Sequence, residues 1–250
     1  MTGRRDRSVT LEPSARLAST LVTVTGELDL SGYGFLRDGL LKVAADGPPG
    51  LIADIDGLHI GELSPAAVFP LVARRIGNWP GIPFSLITRQ PAHLETFHRS
   101  GIDRFVAVHT DVEAAERQQT IPIRRWALRG FPRTDNATKL ARAFLREIMA
   151  SWDVPMLVYD GTLIVGELVG NALQHTTSAP EVRLDLRRDL LTISVADDSP
   201  RPATLLERTD LRDPGLGLRI IAQTAQAWGS SRRWSGGKVV WATLSSGSHS

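Results

Sequence analysis

The sequence predicts an α/β protein of two domains. Three observations carry this. Short apolar runs of strand length alternate with helical patterns through roughly the first 118 residues. A polar stretch, Gln118-Gln119-Thr120, followed by Pro122, then breaks that rhythm. From Arg124 onward the order changes, with two long helical patterns ahead of paired strands. The expected organisation is a flexible N-terminus over 1–16, a first domain over 17–118, a linker over 119–123 and a second domain over 124–245.

Each element has its own signal. Residues 17–30 carry β-branched alternation that runs into Gly26, a strand and then a turn. Leu36 to Ala45 has helical spacing, 50–58 is a short apolar run suited to a buried strand, and Ala66 to Ile76 is helical again. Pro80-Gly81 punctuates, and Ile82 to Thr88 reads as a strand. A helix at Leu94 to Ser100, a strand at Phe105 to Val108 and a helix at Val112 to Gln118 complete the first domain.

In the second domain, Arg124 to Gly130 reads as a strand. Asn136 to Trp152 is a helix with Leu140, Phe144, Leu145 and Ile148 on one side. Helix Tyr159 to His175 and strands Glu181 to Arg187 and Leu190 to Ala196 follow. An irregular stretch to Pro214, helix Leu216 to Trp228 and strand Lys238 to Leu244 end the pattern.

Composition narrows the function classes. The 250 residues are 42% hydrophobic, ordinary for globular cores. No run approaches the roughly 18 consecutive apolar residues of a membrane helix, and the first residues lack a secretory apolar core. A cytoplasmic protein with no membrane contact is therefore expected. With no cysteine, disulfides, thiolate metal sites and cysteine nucleophiles are excluded. A balance of 29 Lys+Arg against 27 Asp+Glu gives a formal charge of +2, too little for a nucleic-acid footprint. Only Lys42, Lys139 and Lys238 are lysines.

The most informative segment is Gly166-Glu-Leu-Val-Gly-Asn-Ala-Leu-Gln-His175. On a helix, Glu167, Asn171 and His175 fall at i, i+4 and i+8 on one polar stripe beside an apolar face of Ile164, Val165, Leu168, Val169, Ala172 and Leu173. An amide oxygen suits magnesium, which prefers oxygen ligands and keeps waters and substrate phosphates around it. A carboxylate one turn away can accept a hydroxyl proton. A solvated helix face is the plainer reading of the same stripe.

Further on, Leu191-Thr-Ile-Ser-Val-Ala-Asp197 alternates so that Ile193, Val195 and Asp197 share a face. Asp197 then ends an apolar row, where it could accept from an adenine amino group or simply cap a turn. Asp213-Pro-Gly-Leu-Gly-Leu218 leads into a helix. Glycines there let backbone approach phosphate while the first amides face the charge. An ordinary loop-to-helix junction has the same look.

Taken in order, Glu167-x-x-x-Asn171, Val195-Ala-Asp-Asp-Ser-Pro200, Gly215-Leu-Gly-Leu218 and Gly236-Gly-Lys-Val-Val-Trp-Ala-Thr-Leu244 resemble the GHKL ATPase superfamily, most of all its anti-sigma-factor serine kinases. The resemblance covers about 124–244 and implies a Bergerat α/β sandwich that binds ATP and Mg. It implies Asn171 as the magnesium ligand and Glu167 as the catalytic base toward a protein hydroxyl. Asp197 would read adenine with Ser199 beside it, and Gly215, Leu216, Gly217 and Leu218 would lie at the phosphates, with His175 at the edge of the nucleotide site. Residues 201–214 would be the lid. Two positions depart from the pattern. Ser199 stands where a glycine is expected, and Lys238-Val239 replaces a threonine common in the last strand.

Val22-Thr-Val-Thr-Gly-Glu-Leu-Asp-Leu-Ser31, Ile52-Ala-Asp-Ile-Asp-Gly-Leu58 and Gly101-Ile-Asp-Arg-Phe105 resemble the STAS domain of anti-anti-sigma factors, which implies a mixed sheet with helices over about 17–118. In that family a serine opening the helix after the second strand is phosphorylated. Aligned through Asp54 and Gly57, that position holds Leu63. The neighbouring Ser64, with Pro65 after it, suits a helix N-cap.

His93 and His98, five apart, do not share a helical face and make a poor metal pair. The six tryptophans read as core or interface anchors. Together the resemblances imply a regulator that phosphorylates a STAS-domain anti-anti-sigma protein, takes a sigma factor as the competing partner and forms a homodimer. A nucleotide-dependent binding module without phosphate transfer and a nucleotide-independent scaffold remain alternatives.

Overall fold

The structure, a computed structural model, describes residues 8–61, 63–119, 124–201 and 216–245, with only the backbone described at 63, 64, 124 and 216–219. The chain divides between residues 121 and 122 into two units, each with its own five-stranded sheet.

The first unit contains β1 (Thr10–Ala15), β2 (Thr20–Leu28), α1 (Leu30–Ala45), β3 (Leu51–Ile60), α2 (Leu63–Ala66), α3 (Val68–Asn78), β4 (Phe84–Ile87), α4 (Pro91–Ser100), β5 (Ala107–His109) and α5 (Val112–Gln118). Strand order follows chain order. β1 pairs antiparallel with β2, and β2, β3, β4 and β5 run parallel, so the sheet is mixed as expected. Period-2 alternation divides its side chains between two cores. Val22, Val24, Leu51, Ala53 and Ile55 meet α1, α3 and α4, while Ile52 and Ile87 meet Ala115 of α5. Phe69 and Phe97 are buried edge-to-face at 5.8 Å and 72°, a geometry that adds about 0.5–1.5 kcal/mol beyond burial. Gly101, at φ 70° and ψ 18°, closes α4 in the left-handed region that glycine adopts without steric cost.

Three expectations are corrected here. Where a flexible N-terminus over 1–16 was expected, Thr10–Ala15 is a strand in register with β2, and Val9 and Leu11 are buried. Pro13 and the flanking polar residues hid it, since proline is tolerated on an edge strand. Helix α1 begins at Leu30 rather than Leu36, because the Asp29 carboxylate accepts from the Gly32 amide at 2.7 Å and caps it. Helix α2 starts at Leu63, which places Ser64 inside its first turn instead of at the N-cap. Pro65 fits there because first-turn amides lack helical partners.

The second unit contains β6 (Arg124–Gly130), α6 (Ala137–Trp152), α7 (Val158–His175), β7 (Glu181–Arg187), β8 (Leu190–Asp197), α8 (Leu216–Thr224), β9 (Ala227–Arg232) and β10 (Lys238–Ser245). Its order is β6-β7-β8-β10-β9 with every neighbour antiparallel. One core joins the inward rows Val182-Leu184-Leu186, Ile193-Val195 and Val240-Ala242-Leu244 to α6, α7 and Ile221 of α8. This is a sheet covered by helices, as expected of a sandwich. Two details differ from the sequence reading. Helix α8 ends at Thr224 and Ala227–Arg232 is a strand, where a helix to Trp228 was expected. On α6 the buried face runs through Ala137, Ala141, Phe144, Leu145 and Met149, while Leu140 is exposed. The helical span Pro155–His175 is long and apolar enough to cross a membrane by length and composition. Its apolar residues Ile164, Val165, Leu168, Val169 and Ala172 are buried in the core.

Candidate functional site

The candidate site begins on α7. Its helical period places Glu167 and Asn171 one turn apart, both half-buried, beside the fully packed Ile164, Leu168 and Ala172. His175, one turn further, is the last residue of the helix and is exposed, so two of the three stripe residues are enclosed. Among the described residues the Glu167 carboxylate has no hydrogen-bond or ionic partner, and the Asn171 Nδ2 is buried without one. An enclosed amide with no protein partner is a group waiting for a ligand.

The end of α7 is firmly held. The Arg133 guanidinium donates to the carbonyl oxygens of Leu173 at 2.9 Å and Thr176 at 3.0 Å, satisfying carbonyls the helix leaves open. The Thr176 hydroxyl donates to the Ala172 carbonyl at 2.8 Å. Just beyond, the Asp198 amide donates to the Ser178 hydroxyl at 3.0 Å, tying the end of β8 to the loop after α7.

Asp197 ends the inward row of β8 and is 6% exposed. Its Oδ1 accepts from the Ser199 amide at 2.8 Å, so the turn reading of Asp197-Asp198-Ser199 also holds. The same oxygen lies 2.8 Å from Lys238 Nζ on β10, where Lys238 and Asp197 are direct cross-strand partners. Sequence reasoning missed this pairing. Lys238 had marked a lost threonine, and only strand register shows where its side chain goes. Gly236 and Gly237, both at positive φ, carry the chain into β10.

Leu216, Gly217 and Leu218 form the first turn of α8, whose free amides and dipole favour an anion. Gly215 and all but Arg201 of the expected lid over 201–214 lie outside the described residues. Helix α7 packs against α8, β8 and β10, the elements that carry the other candidate groups.

These groups fit a magnesium nucleotide. Asp197 offers an acceptor at the end of an apolar row, α8 offers backbone amides, and Asn171 offers one amide. Among the described residues no three His, Asp or Glu side chains group as a metal site. Magnesium held through Asn171 would therefore complete its shell with phosphate oxygens and water.

Residues 131–244 match the family described as histidine kinase-like ATPase domain. The second unit is a histidine kinase-like ATPase domain. That match takes in the stripe on α7, Asp197, the start of α8 and Lys238 of the ATPase domain.

No curated protein matches the chain. Among solved structures, an anti-sigma factor antagonist from Mycobacterium paratuberculosis is similar at 22% identity and a TM-score of 0.41, covering 46% of this chain and 96% of that one. The anti-sigma factor antagonist SpoIIAA in its unphosphorylated form is similar at 20% identity and a TM-score of 0.36, with coverages of 44% and 95%. The Bacillus cell fate determinant SpoIIAA in its phosphorylated form is similar at 20% identity and a TM-score of 0.34, with coverages of 44% and 98%.

Proposed function

We propose that the chain is a cytoplasmic, ATP-binding regulator of the anti-sigma type. Its ATPase domain phosphorylates a serine on a separate STAS-domain protein, a sigma factor is the partner that competes with that protein for the domain, and the active form is a homodimer. The observation that carries the reading is the half-buried pair Glu167 and Asn171 on α7, which have no partner among the described residues, in the same unit as the buried acceptor Asp197.

Each residue has a distinct task. Bound ATP supplies the transferable phosphoryl group. Asp197 accepts a hydrogen bond from the base edge and orients the purine. The first turn of α8 would bind phosphate oxygens through backbone amides, and the Asn171 amide oxygen would hold magnesium, which supplies charge neutralisation to the phosphates. Glu167 accepts the proton of the incoming serine hydroxyl, so its oxygen bonds to the γ-phosphorus without carrying a positive charge while the bond from that phosphorus to the bridging oxygen breaks and ADP leaves. The first unit resembles the substrate but carries Leu63, which has no hydroxyl, at the aligned acceptor position, so it is not itself modified.

Calorimetric titration of the full chain with Mg-ATP and Mg-ADP, followed by phosphate transfer to a STAS partner, tests the proposal. Binding with transfer is expected, and Glu167→Gln should retain binding while transfer falls by about 10²–10⁴-fold. Binding without transfer would favour a non-catalytic module, and absence of binding would leave a scaffold.

A further inference from the structure

We infer that Lys238 is a built-in competitor for the base: in the free chain its ammonium occupies the carboxylate of Asp197, and a nucleotide seats its base only by parting the two. The inference rests on the nucleotide reading above and concerns how that site is regulated.

The pair closes the place that a base edge would have to reach. Lys238 and Asp197 face each other across antiparallel strands, and both continue inward rows, Val240-Ala242-Leu244 and Ile193-Val195. Nζ lies 2.8 Å from Oδ1, and the two side chains are 7% and 2% exposed. So little exposure keeps the carboxylate from a base edge until a neighbour moves. The Ser199 amide donates to the same oxygen at 2.8 Å, and Val195 is packed in the core, so neither of these is free to withdraw. Lys238 is the neighbour that can. Its ammonium rides on a flexible four-carbon stem, and among the described residues Nζ has this one acceptor.

Charge acts in the same direction. A hydrogen bond to an ionised carboxylate is about twice as strong as one between neutral groups, but the ammonium beside Asp197 already neutralises this one. An amino group approaching the intact pair therefore gains less than it would from a lone carboxylate. When the ammonium moves out to water it regains its hydration, and the carboxylate takes an N–H of the base in its place. Neither state then leaves a buried charge without a partner. Base occupancy and exposure of Lys238 are thereby linked, so removing the ammonium should tighten nucleotide binding.

The test is calorimetric titration of the full chain with Mg-ADP beside two variants. Lys238→Ala removes the ammonium and its stem, and Lys238→Met removes the ammonium while keeping most of the stem. ADP binding at least about tenfold tighter in either variant is expected. Equal or weaker binding in both would overturn the inference and leave the ATP reading intact, whereas absence of ADP binding to all three proteins would overturn both. Where neither variant folds, labelling of the unmutated chain decides. Its lysines are Lys42, Lys139 and Lys238, so brief treatment with an amine-reactive acetyl ester, mapped by mass spectrometry, reads each one separately. Lys238 should label slowly in the free chain and about tenfold faster with saturating Mg-ADP, against Lys42 of the first unit as the reference. Fast labelling in the free chain, or slow labelling that ADP leaves unchanged, would show that the base does not displace the lysine.

Discussion

Gly237 lies directly against the backbone of Asp197, so close that a Cβ at 237 would overlap the Asp197 carbonyl oxygen. Its φ of 72° is a second constraint, because non-glycine residues are strained there. Gly237→Ala should destabilise the second unit by about 1–3 kcal/mol from the backbone conformation alone. It should also displace Asp197 and weaken ADP binding. Urea denaturation beside calorimetry checks both, and unchanged stability would show that the turn can relax.

Asn171→Ala should weaken nucleotide binding in magnesium and change little in EDTA, because its amide serves the ion instead of the base. Titration under the two conditions separates these roles. Equal affinity of the two proteins in magnesium would remove the metal from Asn171.

The first unit should take up no stoichiometric phosphate when the full chain is incubated with Mg-ATP, since the aligned acceptor is Leu63, which has no hydroxyl. Ser64 lies in the first turn of a four-residue helix rather than before it. Mass-spectrometric mapping decides, and full occupancy at Ser64 would show that the unit is a substrate after all.

Burial pushes the His93 imidazole below the ordinary value of 6.5, against a smaller upward pull from its bond to the Leu58 backbone and from Asp56. Its Nδ1 lies 2.9 Å from the Thr88 hydroxyl, and its ring stacks 6.1 Å from Phe97. The unfolded chain therefore binds the proton more readily than the folded one. Stability is fully present above the unfolded value and declines as pH falls through it. Hydrogen exchange of the α4 amides should accelerate from about pH 7.5 to about pH 5.5 after correction for intrinsic rates, and less so in His93→Gln. Half-buried His109 shifts in the same direction, so some acceleration should remain.

Sequence alone marked the α7 stripe and the row ending at Asp197, because both follow from local periodicity. It also marked the alternation of the first unit. What it hid was set by partners distant in the chain. Strand β1 contains a proline, and its identity comes from pairing with β2. Strand β9 continues the apolar spacing of α8 and becomes a strand only against β10. The Lys238–Asp197 contact spans 41 positions and depends on cross-strand register. Short-range patterning carries no record of it.

The order β6-β7-β8-β10-β9 has a temporal consequence. Strand β9 emerges during synthesis before the strand that separates it from β8, so it has no sheet neighbour until β10 arrives. A chain made from its N-terminus thus completes β6, β7 and β8 as three antiparallel neighbours and waits for β10 to slot beside β8. That insertion brings Lys238 to Asp197 and supplies the last row of the core. The surface that would read a base is therefore assembled late, and a nascent chain paused before residue 238 would lack it.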